Sequence, residues 1–171
     1  MDLRKKKVVA TLVFPIKRDE VLLARKTRKI GVGLWNGWGG MVEDGETIRQ
    51  TAVREFADES GLSSSASDLQ YCGKVTFHNK KADGRKFDVE VHMFLLRKWN
   101  GQLKPNPEMK EPTFWSIQNL PFDEMMPSDK DWLPFVLRGE RIEGEVWHGE
   151  NQKFLLKPIE IQLSAKLDDI D

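Results

Sequence analysis

Three acidic side chains lie close together in residues 54–62, which read Arg-Glu-Phe-Ala-Asp-Glu-Ser-Gly-Leu. If this segment is helical, Glu55, Asp58 and Glu59 fall within roughly a 100° sector of one face. Like charges at this spacing repel one another and destabilise a helix. A helix tolerates them when a hard divalent cation lies among their oxygens, and such oxygen ligands suit Mg²⁺ shared with substrate phosphates. The cluster therefore indicates a magnesium site for a phosphate-bearing substrate.

A solvated acidic face is the usual explanation of a run of carboxylates, and the helix alone favours that interpretation. The residues around the helix favour a binding site instead. Glu46 stands where the helix is expected to begin, and Arg54 lies beside the acidic cluster. Glycines in the preceding loop allow backbone groups to come near a ligand; they are Gly37, Gly39, Gly40 and Gly45.

The stretch from Gly40 to Leu62 resembles the Nudix box, Gly-x5-Glu-x7-Arg-Glu-apolar-x-Glu-Glu-x-Gly-apolar, and the spacing fits throughout. The one departure is Asp58, where that family usually has Glu; the charge is kept and the reach is one methylene shorter. The resemblance implies a loop–helix–loop that binds Mg²⁺, with Mn²⁺ as a substitute. The implied metal ligands are the Gly39 carbonyl and the side chains of Glu55, Asp58 and Glu59.

The resemblance also implies roles in catalysis. Either Glu55 or Glu59 would be the general base. Glu46 and Arg54 would support catalysis by holding the loop and the helix in place. The bound metal would polarise the phosphates and lower the pKa of an attacking water. The resemblance also implies a further acidic metal ligand after the box, and Glu108 and Glu111 are both candidates for it.

Two other stretches resemble one subgroup of this family in particular. Residues 33–40, Gly-Leu-Trp-Asn-Gly-Trp-Gly-Gly, and 121–134, Pro-Phe-Asp-Glu-Met-Met-Pro-Ser-Asp-Lys-Asp-Trp-Leu-Pro, closely resemble a Nudix subgroup, the animal oxidised-purine nucleoside triphosphatases. That subgroup reads the purine with an Asn amide and a carboxyl group, which match Asn36 and Asp129. An amide both donates and accepts, and a carboxyl kept protonated by an apolar pocket can donate to the base. The other implied substrate-binding residues are Thr11, Lys26, Trp38, Gly39, Gly40, Phe77, Met126, Ser128 and Trp132.

Three pocket positions depart from the subgroup: Ser128 replaces a second carboxylate, Met126 replaces a stacking Trp, and Ile30 replaces a Phe. The implied reaction is Mg²⁺-dependent hydrolysis of oxidised purine nucleoside triphosphates, such as 8-oxo-dGTP, to the monophosphate and pyrophosphate, which would cleanse the nucleotide pool. The alternatives are hydrolysis of dGTP or purine triphosphates in general, hydrolysis of ADP-ribose or a dinucleotide polyphosphate, and a non-catalytic Nudix module. The intact carboxylate cluster argues against the last.

The length of 171 residues predicts one compact domain, and the resemblance implies that residues 1–171 form a single Nudix domain. The 27 basic and 27 acidic residues cancel, so bulk charge attracts neither nucleic acid nor an anionic membrane. The single cysteine, Cys72, excludes an internal disulfide and indicates a reducing compartment. The apolar run 8–14 is too short for a targeting or membrane segment. We expect a cytoplasmic monomer acting on a small-molecule nucleotide, without nucleic-acid or membrane partners.

Hydrophobic patterning predicts more strands than long helices, which indicates a mixed sheet with helices packed on its faces. The resemblance implies that this is the α+β Nudix fold, a mixed β-sheet sandwiched between α-helices. The predicted strands are 8–16, 20–26, 69–77, 87–99, 113–117, 143–148 and 153–162. The predicted helices are 47–60, ended by Gly61, and 129–138, with Trp132 and Phe135 on its inner side. Turns are expected at Asp19-Glu20, Ala82-Asp83-Gly84 and Gly149-Glu150-Asn151, loops at 27–40, 63–68 and 100–112, and a frayed end at 166–171.

Overall fold

The structure, a computed structural model, describes residues 7–164 and 169–171. These residues form eight strands and two α-helices. In chain order they are β1 Lys7–Lys17, β2 Glu20–Lys26, β3 Trp35–Asn36, α1 Ile48–Ser60, β4 Leu69–Lys80, β5 Lys86–Leu96, β6 Met109–Ser116, α2 Asp129–Leu137, β7 Ile142–Glu150 and β8 Glu160–Leu163. Neither helix has the length and apolar character needed to span a membrane within this described part of the chain.

The strands form a mixed sheet in the order β3-β2-β1-β5-β4-β7-β8, with β6 paired to β2 outside this path. Strand β1 runs parallel to β5, and β4 runs parallel to β7, whereas the other named pairs are antiparallel. Strand β1 therefore connects the β2, β3 and β6 group to the rest of the sheet. The predicted mixed sheet is confirmed.

Each face of the sheet is covered by one helix. Because successive strand residues point to opposite faces, Val13 and Phe14 enter different apolar clusters. The first cluster joins Val13 to Ala52 and Phe56 of α1. The second joins Phe14 to residues of α2, including Trp132. The predicted arrangement of a sheet between helices is confirmed.

Helix α1 has strong signals at both ends. The Thr47 hydroxyl accepts from the Gln50 backbone N–H, and the Gln50 side chain accepts from the Thr47 N–H, which forms a capping box. At the other end Gly61 takes a left-handed φ of 80°, a conformation that favours glycine. The predicted helix is confirmed, but Glu46 precedes the N-cap and lies in the loop rather than in the helix.

Several predicted boundaries are wrong because strand pairing, not local pattern, sets them. Strand β6 begins at Met109, within the predicted loop 100–112, since that residue pairs with Lys26 of β2. Strand β8 covers only Glu160–Leu163 instead of 153–162. Strand β3 interrupts the predicted loop 27–40. The first hairpin turns at Arg18-Asp19, one residue earlier than predicted.

Two further predictions concern the inner face of α2 and the chain end. The buried face of α2 consists of Trp132, Leu133, Val136 and Leu137, whereas Phe135 is only partly buried. Of the segment predicted to be frayed, 166–168 lie outside the described residues. Residues 169–171 are attached to α1, because Arg49 donates hydrogen bonds to the Ile170 carbonyl and the Asp169 carboxylate.

Candidate active site

A cavity of about 1550 Å³ joins the loop before α1, the acidic side of α1, the sheet and the start of α2. Most residues predicted to form the site lie on its wall. They are Thr11, Lys26, Asn36, Gly39, Gly40, Glu55, Asp58, Glu59, Phe77, Met126, Asp129 and Trp132. The carboxylate cluster and the expected base pocket therefore belong to one continuous space.

Glu59 is the most buried carboxylate of the cluster, with 8% of its surface exposed. Its pKa is raised to about 8, mainly by burial; the Gly39 N–H and the charge of Lys26 lower it, and the charges of Glu55 and Glu108 raise it. The Gly39 N–H donates to Glu59 Oε1 over 2.9 Å. A buried carboxyl group with a raised pKa at the wall of a cavity is typical of a functional site.

The Gly39-Gly40 pair is pressed between β1 and α1. A Cβ at position 39 would lie 1.8 Å from the Thr11 carbonyl oxygen, and one at position 40 would lie 2.5 Å from Glu55 Cδ. Position 39 accepts only glycine because the atom in the way is backbone, whereas a Cβ at position 40 would push the Glu55 carboxylate aside. The loop is tied to β1 because the Thr11 N–H donates to the Gly40 carbonyl over 2.9 Å. The backbone therefore comes as close to the carboxylates as the sequence pattern predicts.

Arg54 connects the loop to the helix. Its Nε and Nη2 donate to the two oxygens of Glu46 over 2.7 and 2.8 Å, and its Nη1 donates to Glu55 Oε1 over 2.7 Å. The hydrogen bonds from Arg54 lower the pKa of Glu46 to about 2. Glu46 and Arg54 thus stand behind the cavity wall and position Glu55, as a supporting role requires.

Oxygen donors suited to Mg²⁺ meet at this end of the cavity. The Gly39 carbonyl accepts no hydrogen bond from the described residues, and the mutual repulsion of Glu55 and Glu59 would be relieved by a cation. In the described chain, however, no three His, Cys, Asp or Glu side chains are grouped as a ready-made metal site. Arg54 holds Glu55, and the Asp58 side chain is 67% exposed. The donor types fit a divalent cation, whose binding requires these two side chains to rotate.

The structure separates the two candidates for a further metal ligand. Glu108 lies on the cavity wall and forms an ion pair with Arg28. Glu111 has a 68% exposed side chain, pairs with Arg25 Nε over 3.2 Å and lies outside the cavity. Glu108 is therefore the one of the two that is placed to assist a cation.

The base end of the cavity is built around Asp129, which is 3% exposed. Burial raises its pKa to about 8, and a hydrogen bond from the Met126 backbone offsets this only in part. Across the described residues, no basic side chain forms an ion pair with it. The carboxyl group is therefore neutral at pH 7. Asn36 lies on the same wall, with its Oδ1 accepting the Gly37 N–H over 2.9 Å.

Trp38 and Ser128 are not brought to the cavity, contrary to the sequence prediction. Trp38 is 1% exposed, packs edge-on against Phe56 at 6.2 Å, and donates from Nε1 to the Leu22 carbonyl. Ser128 is fully buried, and its hydroxyl accepts from Trp132 Nε1 over 3.1 Å. Both residues hold neighbouring parts of the site, Ser128 by fixing the Trp132 ring.

The sequence analysis missed Asn79 and His148, which line the far wall of the cavity on β4 and β7. The available signal was alternation, since Phe77 and Asn79 must share one face of β4. Strand β7 runs parallel beside it, with Phe77 opposite Val146. His148 is therefore on the same face as Val146, next to Asn79.

A protein-family model described as the NUDIX domain matches residues 6–136. The chain belongs to the Nudix hydrolase family. This Nudix chain is 33% identical over 161 residues to the oxidized purine nucleoside triphosphate hydrolase of Danio rerio, with 94% of both chains covered. It is 35% identical over 134 residues to the mouse (Mus musculus) protein of that name, covering 78% of this chain and 82% of the relative.

The Nudix fold is also evident from solved structures. A MutT protein from Bacillus halodurans superposes with a TM-score of 0.73 at 22% identity, covering 94% of this chain and 99% of that one. At this identity the likeness concerns the fold alone.

Proposed function

We propose that this Nudix hydrolase cleaves purine nucleoside triphosphates, oxidised ones such as 8-oxo-dGTP above all, to the monophosphate and pyrophosphate. The observation that carries the proposal is one cavity whose wall includes the carboxylates of α1 together with Asn36 and the buried Asp129, whose pKa is raised to about 8. The names of the two vertebrate relatives agree with such a substrate. Removal of oxidised triphosphates would cleanse the nucleotide pool, and we place this reaction in the cytoplasm.

At the base end, the protonated Asp129 carboxyl donates a hydrogen bond to a purine oxygen or nitrogen. The Asn36 amide supplies a donor and an acceptor, as a purine edge requires. The rings of Phe77 and Trp132, which pack edge to face with centroids 6.4 Å apart, form an apolar wall beside the base. Met126 adds a polarisable side chain on the same wall.

At the phosphate end, Lys26, Arg28 and Lys29 place basic side chains on the cavity wall, where they attract the triphosphate. Glu55, Asp58, Glu59 and the Gly39 carbonyl would hold Mg²⁺, or Mn²⁺ in its place. When bound, the metal would polarise the phosphates and lower the pKa of a water. Either Glu55 or Glu59 would take the proton from an attacking water, and Arg54 keeps Glu55 oriented.

The test of this function is a hydrolysis panel with Mg²⁺ containing 8-oxo-dGTP, dGTP, 2-hydroxy-dATP, ADP-ribose and a diadenosine polyphosphate. We expect pyrophosphate release from 8-oxo-dGTP with the highest kcat/KM of the panel. A preference for ADP-ribose or for the dinucleotide would refute the proposal.

Replacing one carboxylate tests the phosphate end. Glu59→Gln keeps the shape and the Gly39 contact but removes the charge, so we expect kcat to fall by about a hundredfold or more with the fold intact. Glu20→Gln, an exposed change on β2 away from the cavity, is the matched control. Near-normal kcat in Glu59→Gln, with unchanged thermal unfolding, would contradict the assignment.

A further inference from the structure

The His148 imidazole has an unpartnered nitrogen at the cavity wall. The residue is 2% exposed, and its Nε2 is buried without a hydrogen-bond partner among the described residues. Leaving a buried polar atom unpaired is unfavourable, and such atoms are rare in folded proteins. Since His148 lines the cavity, a bound ligand could supply the missing partner.

The neighbouring Asn79 decides which kind of partner is needed. His148 Nδ1 lies 2.7 Å from Asn79 Oδ1, and an amide oxygen only accepts, so Nδ1 carries the proton. The remaining nitrogen, Nε2, is then a lone-pair acceptor. Burial lowers the pKa of His148 to about 4, so the ring is neutral at physiological pH and the tautomer is maintained.

The position of His148 relates it to the base end. Its ring stacks on Phe77 with centroids 5.7 Å apart, and Phe77 in turn meets the Trp132 ring. Asp129 lies one helical turn before Trp132 on α2. Asn36, Asp129 and His148 all line the same cavity.

We propose that His148 Nε2 accepts a hydrogen bond from the N7–H of an 8-oxopurine and thereby selects oxidised over unmodified purines. In guanine, N7 is an acceptor, so two lone pairs would face each other. Oxidation at C8 places a proton on N7 and turns the repulsive pair into a hydrogen bond. The inference rests on the proposed function and names the atom that carries its substrate preference.

The kinetic test compares His148→Phe with wild type. Phe preserves the ring and its stacking on Phe77 but removes the acceptor. We expect the ratio of kcat/KM for 8-oxo-dGTP to that for dGTP to fall about tenfold or more. His78→Phe is the matched control, because His78 stacks on Trp147 and lies outside the cavity; its ratio should equal that of wild type. An unchanged ratio in His148→Phe overturns the inference.

Three further measurements sharpen the result. Binding of the products 8-oxo-dGMP and dGMP, measured calorimetrically without metal, should show the same loss of preference in His148→Phe as the kinetics. The ratio of kcat/KM for dGTP to dITP tests the exocyclic amine, which only dGTP has; a collapse of that ratio in His148→Phe would assign Nε2 to the amine and overturn the N7 assignment. Nitrogen-15 NMR of the free protein should show Nε2 as the unprotonated ring nitrogen, and a protonated Nε2 overturns the proposal.

The outcomes separate the two proposals. If wild type hydrolyses none of the triphosphates, the proposed function fails. If wild type prefers 8-oxo-dGTP and His148→Phe keeps that preference, only the role of His148 fails. Asn79→Leu gives a second variant, since it removes the acceptor that maintains the tautomer; its ratio should fall in the same direction, and the NMR signal should shift toward the protonated form of Nε2.

Discussion

Replacing Asp129 with Asn should change how the stability of the protein depends on pH. Asparagine has nearly the same shape but cannot ionise. In the folded protein, burial raises the pKa of Asp129 from its ordinary value of 3.8 to about 8. The unfolded chain exposes the side chain to water and keeps the ordinary value. Folding therefore favours the protonated form of this one group.

The sign and size follow from linkage. A folded pKa above the unfolded one contributes stability that is fully present below pH 3.8 and is lost as the pH rises to about 8. Each pH unit in that window corresponds to about 1.4 kcal/mol. The difference of about 4 in pKa thus amounts to roughly 6 kcal/mol, a large part of the total stability of a domain. The unfolding free energy of wild type minus that of Asp129→Asn should therefore decrease as the pH rises through this window.

The assay is urea unfolding of both proteins at pH values from 4 to 9, without nucleotide. Subtracting the two curves removes the contribution of every other titrating group, including Glu59, whose raised pKa acts in the same direction. Asp131→Asn, an exposed change on the same helix, controls for the loss of one acidic group. If the wild-type and Asp129→Asn curves run parallel, Asp129 is already ionised at neutral pH in the folded protein. The donor role at the base end would then be refuted.

Two other substitutions test opposite ends of the cavity. Asn36→Ala should raise KM for purine triphosphates about tenfold with little change in kcat, because it removes a contact distant from the reacting phosphates; an unchanged KM in steady-state assays would reject Asn36 as a base reader. Gly40→Ala places a Cβ 2.5 Å from Glu55 Cδ, so Glu55 must move, and we expect the Mg²⁺ concentration for half-maximal rate to rise about tenfold. An unchanged metal dependence would place Glu55 outside the metal site.

What could be predicted from the sequence were features encoded by neighbouring residues. The capping box of Thr47 and Gln50 begins helix α1 and the left-handed Gly61 ends it, so residues at its own ends determine its bounds. The acidic residues then share a side because they share a helix. The close glycine loop was predictable for the same reason, since the spacing places it directly before the helix.

The features that were missed depend on distant partners. Strand β6 extends back to Met109 because β2 offers unpaired backbone there, with a register shift between Leu23 and Arg25 that no local pattern reveals. Trp38 was expected to contact substrate, but Leu22 and Phe56 enclose it on both sides. His148 gains significance only when β7 lies parallel to β4. The sequence alone does not distinguish an aromatic or polar residue that faces a cavity from one that faces the core.

Two buried carboxyl groups in one cavity differ in what surrounds them, and this difference assigns their roles. Glu59 and Asp129 both have a pKa raised by burial to about 8. Glu59 also has the Gly39 N–H and the charge of Lys26 beside it, and an arriving cation would add to these, so it can ionise when metal and phosphates bind. For Asp129, the Met126 backbone alone opposes the effect of burial. In the proposed function the metal binds at the carboxylates of α1, so it does not add to the surroundings of Asp129. In the proposed function one carboxyl group therefore binds a cation and the other donates a hydrogen bond to the base.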